Sequence, residues 1–172
     1  SVSANQQFAD RLGISFDKIR VIQGDTQPIA FGSGTVASRS TSVGCEALLE
    51  AVDQLIEKGK KISAKLLQAN LSEIKFGTGR FVAGGSGHSI DLAELARMAQ
   101  DPGNLSDPGM KPGLDGWAHY APKAGTFPNG CHVCEIEIDE ETGVIEILRH
   151  VSVDDFGTIV NPLLVSGQVH GG

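Results

Sequence analysis

Apolar residues along this chain recur at two periods, and each period marks an element. Residues 3–12, SANQQFADRL, predict a short helix closed by Gly13, and Lys18–Gln23 read as a strand. A loop of small and polar residues, GDTQPIAFGSGTVASRS, follows and runs without a break into a second helix. There Cys45, Leu48, Leu49, Val52, Leu55 and Ile56 fall three and four residues apart, the spacing of a core-facing stripe. Gly59 is expected to end that helix, with a further helix over 62–70. A hairpin around Gly77 and Gly79 joins IKF to RFVAG, and a helix over 90–99 is expected with Ser89 as its cap.

Residues 101–116 hold three Pro and four Gly, which makes them a surface loop or a boundary. Beyond it the period becomes two: CHVCEIEID and GVIEILRHVSVDDFG flank a connection whose Gly143 can take positive φ. Asn161-Pro162 then marks a turn, and NPLLVSGQVHGG reads as a small polar closing segment. Helices and strands mix without strict alternation. The fold class predicted is therefore α+β, a mixed β-sheet with packed helices rather than a doubly wound parallel sheet. Its expected divisions are a first α+β portion over 1–100, a loop or boundary over 101–125, and a hairpin with the GQVHGG segment over 126–172.

Composition removes several classes of function. At 172 residues the chain can bury a core, and 40% apolar with 20% charged residues is globular usage. A formal charge of −7 argues against nucleic acid, which needs a concentrated basic face. Only Lys58, Lys60 and Lys61 cluster, and the expected helix C-terminus there accounts for them. No apolar run approaches a membrane span. The absent initiator Met and the Gly171-Gly172 ending lead to the expectation of a piece excised from a longer protein, one prone to self-associate as a homo-oligomer through surface its neighbours would cover.

Three cysteines, an odd number, fit a reducing compartment and a cytoplasmic location. Cys131-His132-Val133-Cys134 has the CxxC spacing of zinc and redox sites, but those need both thiols converging at a turn or helix start. In a strand, residues three apart point to opposite faces. Metal or redox use of this pair is therefore disfavoured, and both thiols are expected to be buried strand residues.

The candidate chemistry lies in the loop GSGTVASRSTSVG, residues 32–44. The first N–H groups of a helix lack intrahelical partners and carry partial positive charge, so that end attracts anions. Arg39 stands where the dipole disfavours a cation, unless something negative lies between it and the helix. Thr35, Ser38, Ser40 and Thr41 add hydroxyl donors. The loop suits a phosphate or a polar heterocycle close to the backbone; a glycine-rich turn capped by Ser or Thr, which accounts for most such stretches, is the plainer reading of these residues alone. Gly32–Ala37 formally matches GxGxxG/A, but the preceding strand ends too early and Glu57 lies inside a helix, so a dinucleotide fold is rejected. No Gly-Lys-Ser/Thr follows, which removes a P-loop.

Three segments together resemble the molybdenum-cofactor subunit of the molybdenum hydroxylases, the family of xanthine dehydrogenase, aldehyde oxidase and aerobic carbon monoxide dehydrogenase. They are LGISFDKIRVIQGDT (12–26), FGSGTVASRSTSVG (31–44) and FPNGCHVCEIEIDEETGVIEILRHVSVDDFGTIVNPLLVSGQVHGG (127–172). The Arg of ASRS is closer to the bacterial multisubunit members. The resemblance implies a pyranopterin cofactor, molybdopterin, often extended in bacteria as a cytosine dinucleotide, that binds molybdenum through its own sulfurs. It places Val36, Ala37, Ser38, Arg39 and Ser40 against the pterin and phosphate, and Gln168 at the pterin near the metal. Without the resemblance Gln168 is a turn glutamine.

The reaction implied is hydroxylation of an aldehyde or N-heterocycle with oxygen from water, or oxidation of carbon monoxide, with electrons leaving through iron–sulfur and flavin partners. The family's glycine-glutamine-glycine element is expected before Ser1 and its glutamate base beyond Gly172. Glu46, Glu50 and Glu57, on the polar side of the second helix, do not replace that base. The isolated chain is accordingly expected to bind no cofactor and to be inactive. The rival reading is a stand-alone, non-catalytic ligand-binding or scaffolding domain of the same fold.

Overall fold

The computed structural model describes residues 2–27, 32, 34, 36 and 39–171, with side chains from residue 5 onward. The chain divides into two compact units, Ser1–Pro122 and Lys123–Gly172. The fold class is α+β, but the strands are shared between two antiparallel sheets instead of forming one mixed sheet.

In the first unit, α1 (Val2–Leu12) packs on α2 (Ser40–Leu66). Gly13 ends α1 at φ +62°, with the Ile14 amide donating to the Ala9 carbonyl at 3.2 Å. A β-carbon at Gly13 would lie 2.6 Å from Thr78 Cα, so the position excludes a side chain twice over, by conformation and by space. Lys18–Gln23 is not a strand. Phe16–Lys18 forms a 3₁₀ turn, and no strand among the described residues pairs with the exposed chain that follows. Val21 and Ile22 carry β propensity, but a strand needs a neighbour's ladder.

Gly59 does not end α2, and no second helix starts at 62: one helix of 27 residues runs through both. Its buried side is Cys45, Val52, Ile56, Gly59, Ile62 and Ser63. The helix stops at Leu66, where Gln68 takes φ +50° and the Ala69 amide reaches the Ala64 carbonyl at 3.0 Å. Lys58, Lys60 and Lys61 are thus interior to the helix, and carboxylates rather than a helix terminus account for them. Lys58 Nζ lies 2.5 Å from Asp115 Oδ1, Lys60 pairs with Glu57 at 2.6 Å, and Lys61 lies 3.9 Å from Asp107. The Lys58 ammonium holds the Asp115 carboxyl below the usual range.

A meander of β1 (Ile74–Gly77), β2 (Arg80–Ala83) and β3 (Ser89–Asp91) follows. Thr78 and Gly79 both take positive φ, the two-residue turn that matches strand twist. Phe81, Ala83 and Ile90 face inward on α2 and join Leu12, Val52, Ile56, Ile62 and Leu95 in the core. The next helix, α3, spans Leu92–Met98, with Asp91 rather than Ser89 at its N-cap, because Ser89 begins β3. The Pro- and Gly-rich segment then runs back along α2: Lys65 donates to the Gly103 and Leu105 carbonyls, both at 2.7 Å, and the Trp117 amide donates to Gln54 Oε1 at 3.3 Å.

The second unit is a hairpin of β4 (Asn129–Ile138) and β5 (Ile145–Asp155), followed by α4 (Pro162–Gly171). Asp139 accepts from the Glu141 and Thr142 amides at 2.8 and 3.0 Å, and Gly143 takes φ +71°. Cys131 and Cys134 lie on this hairpin but are exposed, contrary to the expectation of burial; Cys45 is the buried thiol. NPLLVSGQVHGG is a helix, not a polar coil. Asn161 caps it, Oδ1 accepting from the Leu164 amide at 3.2 Å, and Pro162 supplies the preset φ of a first helical residue.

Candidate functional site

The described part of the glycine-rich loop leads into the N-terminus of α2. Gly34 takes φ +70°, and a β-carbon built at Gly32, Gly34 or Gly44 would meet nothing within 4 Å. The backbone there is open on its side-chain side. Val36, itself 53% exposed, accepts at its carbonyl from the Arg39 amide at 3.3 Å. That turn places Arg39 at the N-cap of α2, with φ −90° and ψ 0°.

An Arg cap is unusual because its side chain has no acceptor for the free amides of the first turn, and Arg39 makes no such cap bond. Ser42 turns its hydroxyl the other way, donating to the Arg39 carbonyl at 3.0 Å. No acid stands in the first turn. The positive end of a 27-residue helix is therefore flanked by Arg39 and by exposed Ser40 and Thr41, and the turn itself holds no acidic residue.

Of the candidate residues, the structure brings Val36, Arg39 and Ser40 together here. Ala37 and Ser38 lie outside the described residues, as does Thr35. Gln168 belongs to the second unit, exposed on α4. Cys45, one turn into α2, is buried, and burial, aided by the Glu46 charge, raises its thiol pKa. Glu46, Glu50 and Glu57 lie on the exposed side of the helix.

One group of side chains escaped the sequence reading: His132, Cys134, His150 and Asp154 on a single face of the β4–β5 hairpin. Their even spacing, two residues in β4 and four in β5, is visible in the sequence; the register that joins the strands is not. Among the described residues no group of three or more His, Cys, Asp or Glu is already placed to hold a metal, and no helix is long and apolar enough to cross a membrane.

What the fold and loop define is an α+β domain whose glycine-lined loop delivers a carboxylate-free helix N-terminus. The chain belongs to the family of molybdopterin cofactor-binding domains, whose model matches residues 2–172. It is 36% identical over 170 residues to the carbon monoxide dehydrogenase large chain of Hydrogenophaga pseudoflava, covering 97% of this chain and 20% of that one. It is 30% identical over 168 residues to the nicotine 6-hydroxylase large subunit of Paenarthrobacter nicotinovorans, covering 97% and 21%. The structure of reconstituted CO dehydrogenase from Oligotropha carboxidovorans matches with a TM-score of 0.85 at 33% identity, over 99% of this chain and 21% of that chain. The chain thus spans about a fifth of the length of the relatives it matches.

The residues present fit a flat, phosphate-bearing cofactor. Open glycine positions allow a ring system to approach the backbone, and the helix end with Arg39 offers positive charge without a competing carboxylate in its first turn.

Proposed function

We propose that this chain forms part of the cofactor wall in the large subunit of a molybdenum hydroxylase. The enzyme hydroxylates an aldehyde or N-heterocycle with oxygen from water, or oxidises carbon monoxide, in complex with iron–sulfur and flavin subunits or domains. The observation that carries this reading is the N-terminus of α2, where Arg39 replaces a capping side chain and no acid occupies the first turn. In this reading Val36, Ala37, Ser38, Arg39 and Ser40 line the pterin and its phosphate, and Gln168 donates or accepts a hydrogen bond at the pterin. The cofactor is the cytosine dinucleotide form, whose second phosphate adds a further anion for the same end. When bound, it supplies the redox chemistry at molybdenum.

The chain's own residues bind and orient. Backbone amides at the start of α2 and the Arg39 guanidinium hold negative charge, and the glycines leave room for the rings. None of these residues moves a proton. Glu46, Glu50 and Glu57 project from the polar side of α2, so the base belongs to another segment of the protein. Three thiols without a disulfide partner among them support a cytoplasmic setting, and apolar side chains left exposed on β4 and β5 support a homo-oligomer.

The test uses the intact large subunit. Arg39→Ala and Gln168→Ala should lower molybdenum content or turnover, whereas Glu50→Ala should leave both at wild-type values. Equal metal content and turnover in all three would remove the site assignment. A chain that proves complete near its present length, with no hydroxylase partner genes, would favour the stand-alone binding domain.

A further inference from the structure

The register of the second unit creates a ligand set that neither strand contains by itself. Cys134 pairs directly with His150, and His132 pairs with Ser152, so Asp154 lies diagonal to His132 on the same face. His132 Nε2 lies 3.0 Å from Asp154 Oδ1, and the His132 and His150 rings stand 5.6 Å apart, tilted by 54°. A β-bulge produces this arrangement. Near the turn Ile136 pairs with Ile147, but the next pair is Glu135 with Arg149, so Leu148 is the extra residue of β5. Were the first register continued, His150 would face Val133 and point away from Cys134. The bulge turns it onto the face of Cys134 and His132, the re-aiming of a side chain that bulges supply at functional positions.

We propose that this face binds a first-row divalent metal, with zinc the best match, through Cys134 Sγ, His132 and His150. Two ligands two residues apart on one strand and a third on its neighbour share a face of a pleated sheet, and zinc takes thiolate and imidazole ligands together. Asp154 has the supporting role: a carboxylate on Nε2 fixes the His132 ring and leaves Nδ1 for the metal. As the side chains stand, no three of them converge on one point, so binding requires rotation about their side-chain bonds. His132 is about half exposed and Cys134 and His150 are exposed, so those rotations break no core packing. Binding releases the Cys134 thiol proton to solvent as the sulfur–metal bond forms. Cys131 faces the other way, opposite Val153, and takes no part. The ligand set is therefore not the CxxC pair, and it shares no residue with the glycine-rich loop.

The test is titration of the chelator-stripped chain with Co²⁺, followed by displacement with Zn²⁺. The wild type should take up one cobalt per chain with thiolate-to-cobalt charge-transfer absorption that zinc abolishes. Cys134→Ser should remove that absorption and Cys131→Ser should retain it. His132→Ala and His150→Ala should each weaken binding at least about tenfold, and Asp154→Asn by about tenfold. Circular dichroism checks that each variant keeps its fold. No charge-transfer absorption in the wild type, its persistence in Cys134→Ser, or unchanged affinity in His150→Ala would overturn the proposal.

Discussion

The Phe81 ring of β2 lies directly over Gly59 of α2: a β-carbon built on that glycine would overlap the ring, with Cε1 at 2.9 Å and Cζ closer still. Both residues are buried, Phe81 at 0% exposure, so neither has room to withdraw. In an exposed helix interior, Gly→Ala stabilises by about 1 kcal/mol. Here the sign should reverse. Overpacking costs about 1–3 kcal/mol, so Gly59→Ala should lower the urea midpoint. Combining it with Phe81→Leu should cost less than the sum of the two single changes, by at least about 0.5 kcal/mol of coupling. Additive losses would show that the contact does not limit the position.

Ser63, one turn further along α2, is fully buried and its hydroxyl has no hydrogen-bond partner among the described residues. An unsatisfied buried polar group is a standing cost of folding, which removal of the oxygen relieves. Ser63→Ala should therefore stabilise the first unit by about 1 kcal/mol, read as a higher urea midpoint at unchanged slope. A loss of stability would mean that a water or a side chain satisfies the hydroxyl in solution.

The same pair, Gly59 and Phe81, explains what the sequence could and could not disclose. A glycine that ends a helix and one that accommodates a ring look alike until the ring, 22 positions away, is known to fold back on it. Local features were legible: the α2 stripe, the Gly77–Gly79 hairpin and the Gly143 connection all follow from patterns within a few residues. The closing helix was not, because Gly167 and Gly171 interrupt its composition and its apolar residues form no single stripe. The candidate loop was legible because a helix N-terminus is local. The histidine–cysteine face was not, since it depends on an extra residue at Leu148 that no periodicity reveals.

At the tip of the hairpin, the Thr142 and Glu141 amides hold the Asp139 carboxyl below its ordinary value of 3.8. The folded pKa is depressed, so the contribution to stability is fully present above the ordinary carboxylate range. It is lost as pH falls through the lowered value. The Asp139 carboxyl carbon, followed by NMR, should titrate with a midpoint below 3.8, and Asp139→Asn should reduce the acid-induced loss of hairpin amide protection. A midpoint at or above that value would show the turn bonds to be absent in solution.

The sharpest test of the cofactor loop sets stability against occupancy. The first turn of α2 holds no acid, and Thr41 is exposed there. A carboxylate at that position would interact with the helix dipole and, at short range, with the Arg39 charge. In the chain by itself, Thr41→Asp should stabilise the fold by about 0.3–1 kcal/mol, seen as a higher thermal midpoint. In the intact large subunit, on the proposed reading of this loop, the same carboxylate would compete with the cofactor's phosphate and repel it. Molybdenum content should then fall while the stability of the apoprotein rises. Thr41→Asn, of similar size but without charge, should leave metal content close to wild type. If Thr41→Asp enzyme is as fully loaded as wild type, the anion does not bind at this helix end, and the open glycines at 32, 34 and 44 must serve some other contact.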